Sequence, residues 1–84
     1  MGLPSQPLTL SIEQVDALNK KLAAARHDIN NHLSMIMAAS ELIRMKPEMA
    51  PKMADKLLTQ PEKITELIKG FSADFEQALG ITHP

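Results

Sequence analysis

Four side chains on one short stretch, His27, Asp28, Asn31 and Ser34, are of the types that could do chemistry together. Imidazole is the side chain best matched to reacting near neutral pH, and a carboxylate that takes its other N–H makes the free nitrogen more nucleophilic. His27 is the candidate nucleophile and Asp28 the candidate base. Asn31 and Ser34 follow His27 at i+4 and i+7, so on a helix the three share one ridge, with Asp28 one step round the cylinder. The run His27-Asp28-Ile29-Asn30-Asn31-His32 places six mediocre helix formers inside a segment otherwise suited to a long helix. Each costs roughly 0.4 to 0.7 kcal/mol against Ala, so about 3 kcal/mol of propensity is given up. Local rules broken in this way mark functional sites.

The elements that must carry these residues are legible from caps and periodicity. Ser11 with Gln14 forms a capping-box pattern, and Glu13 and Asp16 put negative charge on the positive end of the helix that follows. Val15, Leu22, Ile29, Ile36 and Ile43 recur every seven residues, with Leu18, Ala25, His32 and Ala39 three positions behind, which is a heptad seam. Arg44 and Lys46 complement the helix dipole at its end, and Pro47 and Pro51 bracket a short connection. Helix one is therefore predicted over about 11–46, roughly 50 Å long at 1.5 Å per residue, too long for a compact globule of this size.

Pro51 opens helix two, predicted over about 51–79, with Leu57, Ile64, Phe71 and Ala78 in one row flanked by Ala54, Ile68 and Phe75. Pro61 predicts a kink near Thr59 and Gln60, not a new element. Gly80 is a C-cap and Pro84 a stop. Residues 1–10, with Pro4 and Pro7, read as a flexible leader, and 81–84 as a tail in which His83 is uninformative. The predicted fold is all-α: an antiparallel two-helix hairpin whose apolar stripes are wider than one partner covers. Two hairpins are then expected to pair as a homodimeric four-helix bundle, with Val15, Leu18, Leu22, Ile29, His32 and Ile36 in the dimer seam.

With Leu22 and Ile29 at heptad position a, His27 falls at f and points away from the seam. His32 lies about 140° round the helix from His27, so the two cannot hold one metal ion from a single chain, and no metal site is expected. At position d, His32 reads as a polar seam residue that sets register or accepts an interhelical hydrogen bond, much as a buried Asn does in coiled coils. The outer ridge is less polar than a solvated face. Ser34, Met37, Ala38, Glu41 and Met45 are the expected partner-binding residues, since Met side chains suit adaptable docking surfaces. The alternative is that Met35, Met37, Ala38 and Met45 pack against helix two. For His27 itself the alternative is a solvated surface histidine.

The whole composition narrows the partners. Eighty-four residues make one domain, and nine basic against ten acidic residues, interspersed, argue against nucleic acid or an anionic membrane surface. Without Cys there are no disulfides or thiol chemistry, and a reducing cytoplasmic location is expected. Two Phe with no Trp or Tyr leave no aromatic platform for bases or sugars. The longest apolar run, Met35 to Ala39, is far short of the roughly 20 residues of a membrane span, and residues 1–10 lack the features of a signal peptide. A soluble protein that binds other proteins is the expectation.

Arg26-His27-Asp28-Ile29-Asn30-Asn31-His32-Leu33-Ser34 resembles the H-box of the dimerisation and histidine-phosphotransfer (DHp) domain of two-component sensor kinases, closest to its His-Asp-x-x-Asn-x-Leu variant. The similarity extends over about residues 11–79, because those domains also pair a long His-bearing helix with a second helix and dimerise into a four-helix bundle. The resemblance implies that His27 is the phosphoacceptor, Asp28 its acid/base neighbour, Asn31 the amide that positions water or the phosphoryl group, and Leu33 the packing residue after them. Many members have Pro where this chain has His32, which implies a weaker bend in helix one.

A sensor kinase also has an ATP-binding domain with Asn-rich and Gly-rich boxes, and only four residues follow Gly80. Nor is there a P-loop pattern. The chain is thus expected to bind no cofactor itself and not to be a self-sufficient kinase; ATP and Mg²⁺ would act only through an ATP-binding domain in trans or cut away. The implied function is to accept a phosphoryl group on His27 and pass it to a response-regulator receiver Asp, with the kinase ATP-binding domain as a further partner. The alternative is a non-catalytic dimeric adaptor that binds a receiver or kinase without being phosphorylated.

Overall fold

The computed structural model describes residues 6–80. They form a helical hairpin: α1 over Ile12–Met45, a one-turn 3-10 helix over Pro47–Met49, and α2 over Ala50–Leu79. Residues 6–10 have no regular helix. The rest of the expected leader, 1–5, and the tail 81–84 with His83 lie outside the described residues.

Local chemistry sets these boundaries. The Gln14 N–H donates to Ser11 Oγ at 3.0 Å and the Ser11 N–H donates to Gln14 Oε1 at 2.8 Å, so the capping box closes from both sides. At the other end Lys46 precedes Pro47, whose ring disfavours the helical region for the residue before it, and Lys46 adopts φ −135°, ψ 84°. Its N–H still donates to Leu42 O at 2.8 Å. Pro47 then opens the 3-10 turn, where its missing N–H costs nothing. Helix α2 runs through Pro61 as one element. It stops at Gly80, which takes the left-handed φ of 67° that only glycine adopts without strain.

The seam between the helices uses the heptad phase of α1. Leu18, Ala25, Ile29, His32, Ile36 and Ile43 are half-buried, and Ala39 is buried. On α2 the row Leu57, Ile64, Phe71, Ala78 is half-buried as expected, but the second covered row is Met53, Gln60, Leu67, Asp74. Ala54, Ile68 and Phe75 stay exposed on the far side of it. The helices meet along residues that include an amide and a carboxylate, while an apolar row is left outside.

Only Ala39, at 3%, and Gln60, at 6%, are buried among the described residues. The radius of gyration is 18.0 Å, against about 12 Å for a compact chain of this length. The molecule measures 58 × 27 × 12 Å, about one helix diameter thick. A surface of 6500 Å² exceeds the roughly 5,000 Å² of a compact 9.3 kDa monomer. Leu22, Leu33, Ile68 and Phe75 contribute to that excess, each at least 40% exposed.

Candidate functional site

Helix α1 carries His27, Asn31, Ser34, Met37, Ala38, Glu41 and Met45 along its outer ridge, and all seven are exposed. Met37 and Met45 are 71% and 68% exposed, so they do not pack against α2. Met35 and Ala38 partly do otherwise: with Ala39, Leu42, Met53 and Lys56 they line a shallow groove between the helices. Glu41 is held by Arg44, whose Nε donates to Glu41 Oε2 at 3.1 Å and whose Nη2 donates to Oε1. That bond holds the Glu41 carboxyl below the usual glutamate range and raises Arg44.

At the centre of the ridge Asn31 Nδ2 lies 3.4 Å from His27 Nε2. An amide N–H only donates, so Nε2 is the acceptor in this contact, which the Nδ1–H tautomer permits. The contact is longer than the ordinary range of roughly 2.7–3.2 Å, so a reacting group displaces it at little cost. A neutral imidazole with an outward lone pair is the nucleophilic form.

Asp28 is exposed one step round the helix and lies on the side of a groove shared with Lys21, Leu67, Gly70 and Asp74. Among the described residues it makes no hydrogen bond to His27. Lys21 spans this groove to Asp74 at 3.6 Å, an interhelical ion pair with no signature in the heptad pattern.

The expected seam residues divide. Leu18, Ile29, His32 and Ile36 are half-buried against α2 of the same chain, whereas Val15 and Leu22 are 52% and 43% exposed. Leu22, Ile29, Ile68 and Phe71 line an apolar groove of about 280 Å³ rimmed by Arg26, Asn30 and Ser72. Asn30, to which the spacing assigned no role, therefore belongs to this rim.

His32 Nδ1 lies 2.5 Å from Gln60 Oε1 across the hairpin. His32 makes an interhelical hydrogen bond within one chain, as its donor and not as the expected acceptor, since an amide oxygen only accepts. Its partner was missed by sequence reasoning: Gln60 reads as a polar residue before a kinking Pro61. The available signal was its position in the seven-residue row 53, 60, 67, 74.

Among the described residues no group of three or more His, Cys, Asp or Glu side chains could hold a metal ion, and no helix is long and apolar enough to cross a membrane. Gly70 lies inside α2 and Gly80 caps it, so neither belongs to a phosphate-cradling loop. No family model matches the chain, and no curated protein or solved structure matches it.

Proposed function

We propose that this protein is a histidine phosphoacceptor of the two-component type, a DHp-like domain that takes a phosphoryl group on His27 and hands it to a receiver Asp. The observation that carries the reading is the placement of His27 Nε2. It stands outward, nearly opposite the interhelical seam, with Asn31 one turn on as its only hydrogen-bond neighbour among the described residues. In the forward step the Nε2 lone pair attacks phosphorus, an N–P bond forms and the bond from phosphorus to the donor breaks. In the second step a receiver carboxylate attacks, the N–P bond breaks and the imidazole is restored. The phosphoryl donor is a kinase ATP-binding domain, in trans or elsewhere in a longer chain, or a phosphorylated receiver. The exposed Met37, Ala38, Glu41 and Met45 give the receiver a docking strip, and the cytoplasm is the compartment in which such partners meet.

The same reading includes a homodimer. The surface in excess of a compact monomer is about 1,500 Å² per chain, which lies in the range that obligate dimers bury. The exposed row Ala54, Ile68, Phe75 beside Leu22 and Leu33 is the face a second hairpin would cover, completing a four-helix bundle.

Incubation with a labelled phosphorylated receiver or an active kinase domain tests the proposal. Acid-labile label on the wild type and none on His27→Ala is the expected result. No label on the wild type, or equal label on the variant, leaves the non-catalytic adaptor instead.

A further inference from the structure

The most buried polar side chain among the described residues is Gln60, 6% exposed, and its oxygen lies 2.5 Å from His32 Nδ1 on the opposite helix. We propose that His32 and Gln60 are a positioning pair that holds α1 at one rotation about its axis, and thereby keeps His27 and Asn31 on the outward ridge. The functional half of this statement rests on the phosphotransfer reading.

The apolar residues of α1 do not select one rotation. On its helical wheel the a and d positions centre the present seam, with Leu22 at the edge of the a row, but Leu33 flanks it on that side and Met35 and Leu42 on the other. Turning α1 by roughly 50 to 60° in either direction would exchange one apolar set for another of similar size. Leu22, Leu33 and Met35 are 43%, 44% and 49% exposed, so each has surface still to bury. Dispersion and hydrophobic contacts are non-directional and accept both alternatives. A hydrogen bond between a ring nitrogen and an amide oxygen does not. Either rotation would carry the His32 ring off Gln60 and leave two polar groups in the seam without each other, which is how a single buried polar pair enforces one geometry.

The remaining residues of the covered rows do not duplicate this selection. In the d row of α1, the neighbours of His32 one heptad away are Ala25 and Ala39, which offer no side-chain hydrogen bond. In the matching row of α2, Met53 and Leu67 flank Gln60. A second directional link between the helices, Lys21 to Asp74, is largely solvent-exposed, 3.6 Å long and near the open end. His32 is one residue from Asn31 and five from His27, so an error in rotation at His32 is transmitted rigidly to both. The pair does not touch the reacting atoms. It acts through the helix that carries them.

The test uses the full chain with His32→Leu, Gln60→Leu and the double variant, beside Gln60→Glu. Each single Leu variant leaves one buried polar group unpaired, whereas the double removes both, so thermal midpoints should fall in the singles and recover in the double. Transfer from labelled His27 to a receiver should nevertheless fall by about tenfold in the double, a modest loss beside the ~100-fold that a 1 Å misplacement brings. Gln60→Glu, which still accepts from Nδ1–H, should keep the wild-type rate. Nitrogen NMR of the ring should show His32 protonated on Nδ1 in the wild type.

A double variant with both wild-type stability and wild-type transfer overturns the proposal, as does a wild-type His32 protonated only on Nε2. If the wild type takes no label, the phosphotransfer reading fails separately, and the pair is judged on resonances alone. The His27 ring and Asn31 amide signals must then shift in the double variant, and unchanged signals reject it.

Discussion

Asn31 Nδ2 lies 3.4 Å from His27 Nε2 on the exposed ridge of α1, so the amide N–H faces the ring nitrogen whose lone pair, on the phosphotransfer proposal, would attack phosphorus. The amide proton and the phosphoryl group cannot both occupy it. Once Nε2 is phosphorylated, Asn31 loses its acceptor and its N–H groups are free to face the phosphoryl oxygens or an incoming water. On the phosphotransfer proposal the residue has one role before transfer and another after it.

Asn31→Ala separates these roles. Formation of label on His27 should be undiminished, because a weak competitor is removed, while the lifetime of the label should lengthen by about tenfold or more, the scale on which one positioned donor acts. Circular dichroism should be unchanged, since Asn31 is exposed. A label lifetime equal to wild type rejects the second role.

Asp28 is exposed and not bonded to His27, so its contribution arises only when the ring turns or a partner docks. Asp28→Asn should slow phosphorylation several-fold while changing stability by no more than about 0.5 kcal/mol, the usual span for surface sites. Equal losses of rate and stability would assign it a structural role in the groove beside Lys21 and Asp74.

The proposed dimer is best probed at Ile68 and Leu22, which are 52% and 43% exposed in the hairpin, because Glu there costs the single chain little. Sedimentation of the wild type should give twice the chain mass, and Ile68→Glu should give monomers that remain helical. Ile29→Glu should instead unfold the hairpin, since Ile29 is half-buried against α2. A wild-type monomer at micromolar concentration would refute the bundle.

Ser11→Ala should cost about 1 kcal/mol by opening both bonds of the capping box. For a domain of this size that lowers the melting midpoint by roughly 4 to 8 °C. A midpoint within experimental error of wild type would show that α1 frays past this cap.

Acidification should act on the end of α1. Glu41 has its carboxyl depressed below 4.5 by Arg44, so the pair's stabilising effect is complete above that value and is lost as pH falls through the folded-state value. Arg44 is raised by the same bond, so its half of the effect holds throughout the acidic and neutral range. Between pH 6 and 8 stability should carry no contribution to its pH slope from this pair. Glu41→Gln should remove only a small acid-limb dependence, the pair being fully exposed; a variant with an unaltered acid limb would exclude the pair as its source.

Local sequence determined the elements and the outward placement of the site. The Ser11 cap, the Lys46-Pro47 stop and the Gly80 cap act through bonds within a few residues, and the seven-residue spacing of Ile29 and Ile36 puts His27 on the opposite side of the same helix. None of this needs a partner helix. Tertiary structure decided which second row of α2 faces α1, and so that Gln60 and Asp74, not Ile68 and Phe75, lie against it. It also decided that Asp28 borders a groove and that His32 finds its partner 28 residues away. Periodicity on one helix constrains its own face but not its rotation against a neighbour. The pairing of His32 with Gln60 across the hairpin joins two positions, each legible as part of a row on its own helix, whose meeting only the packing of the two helices fixed.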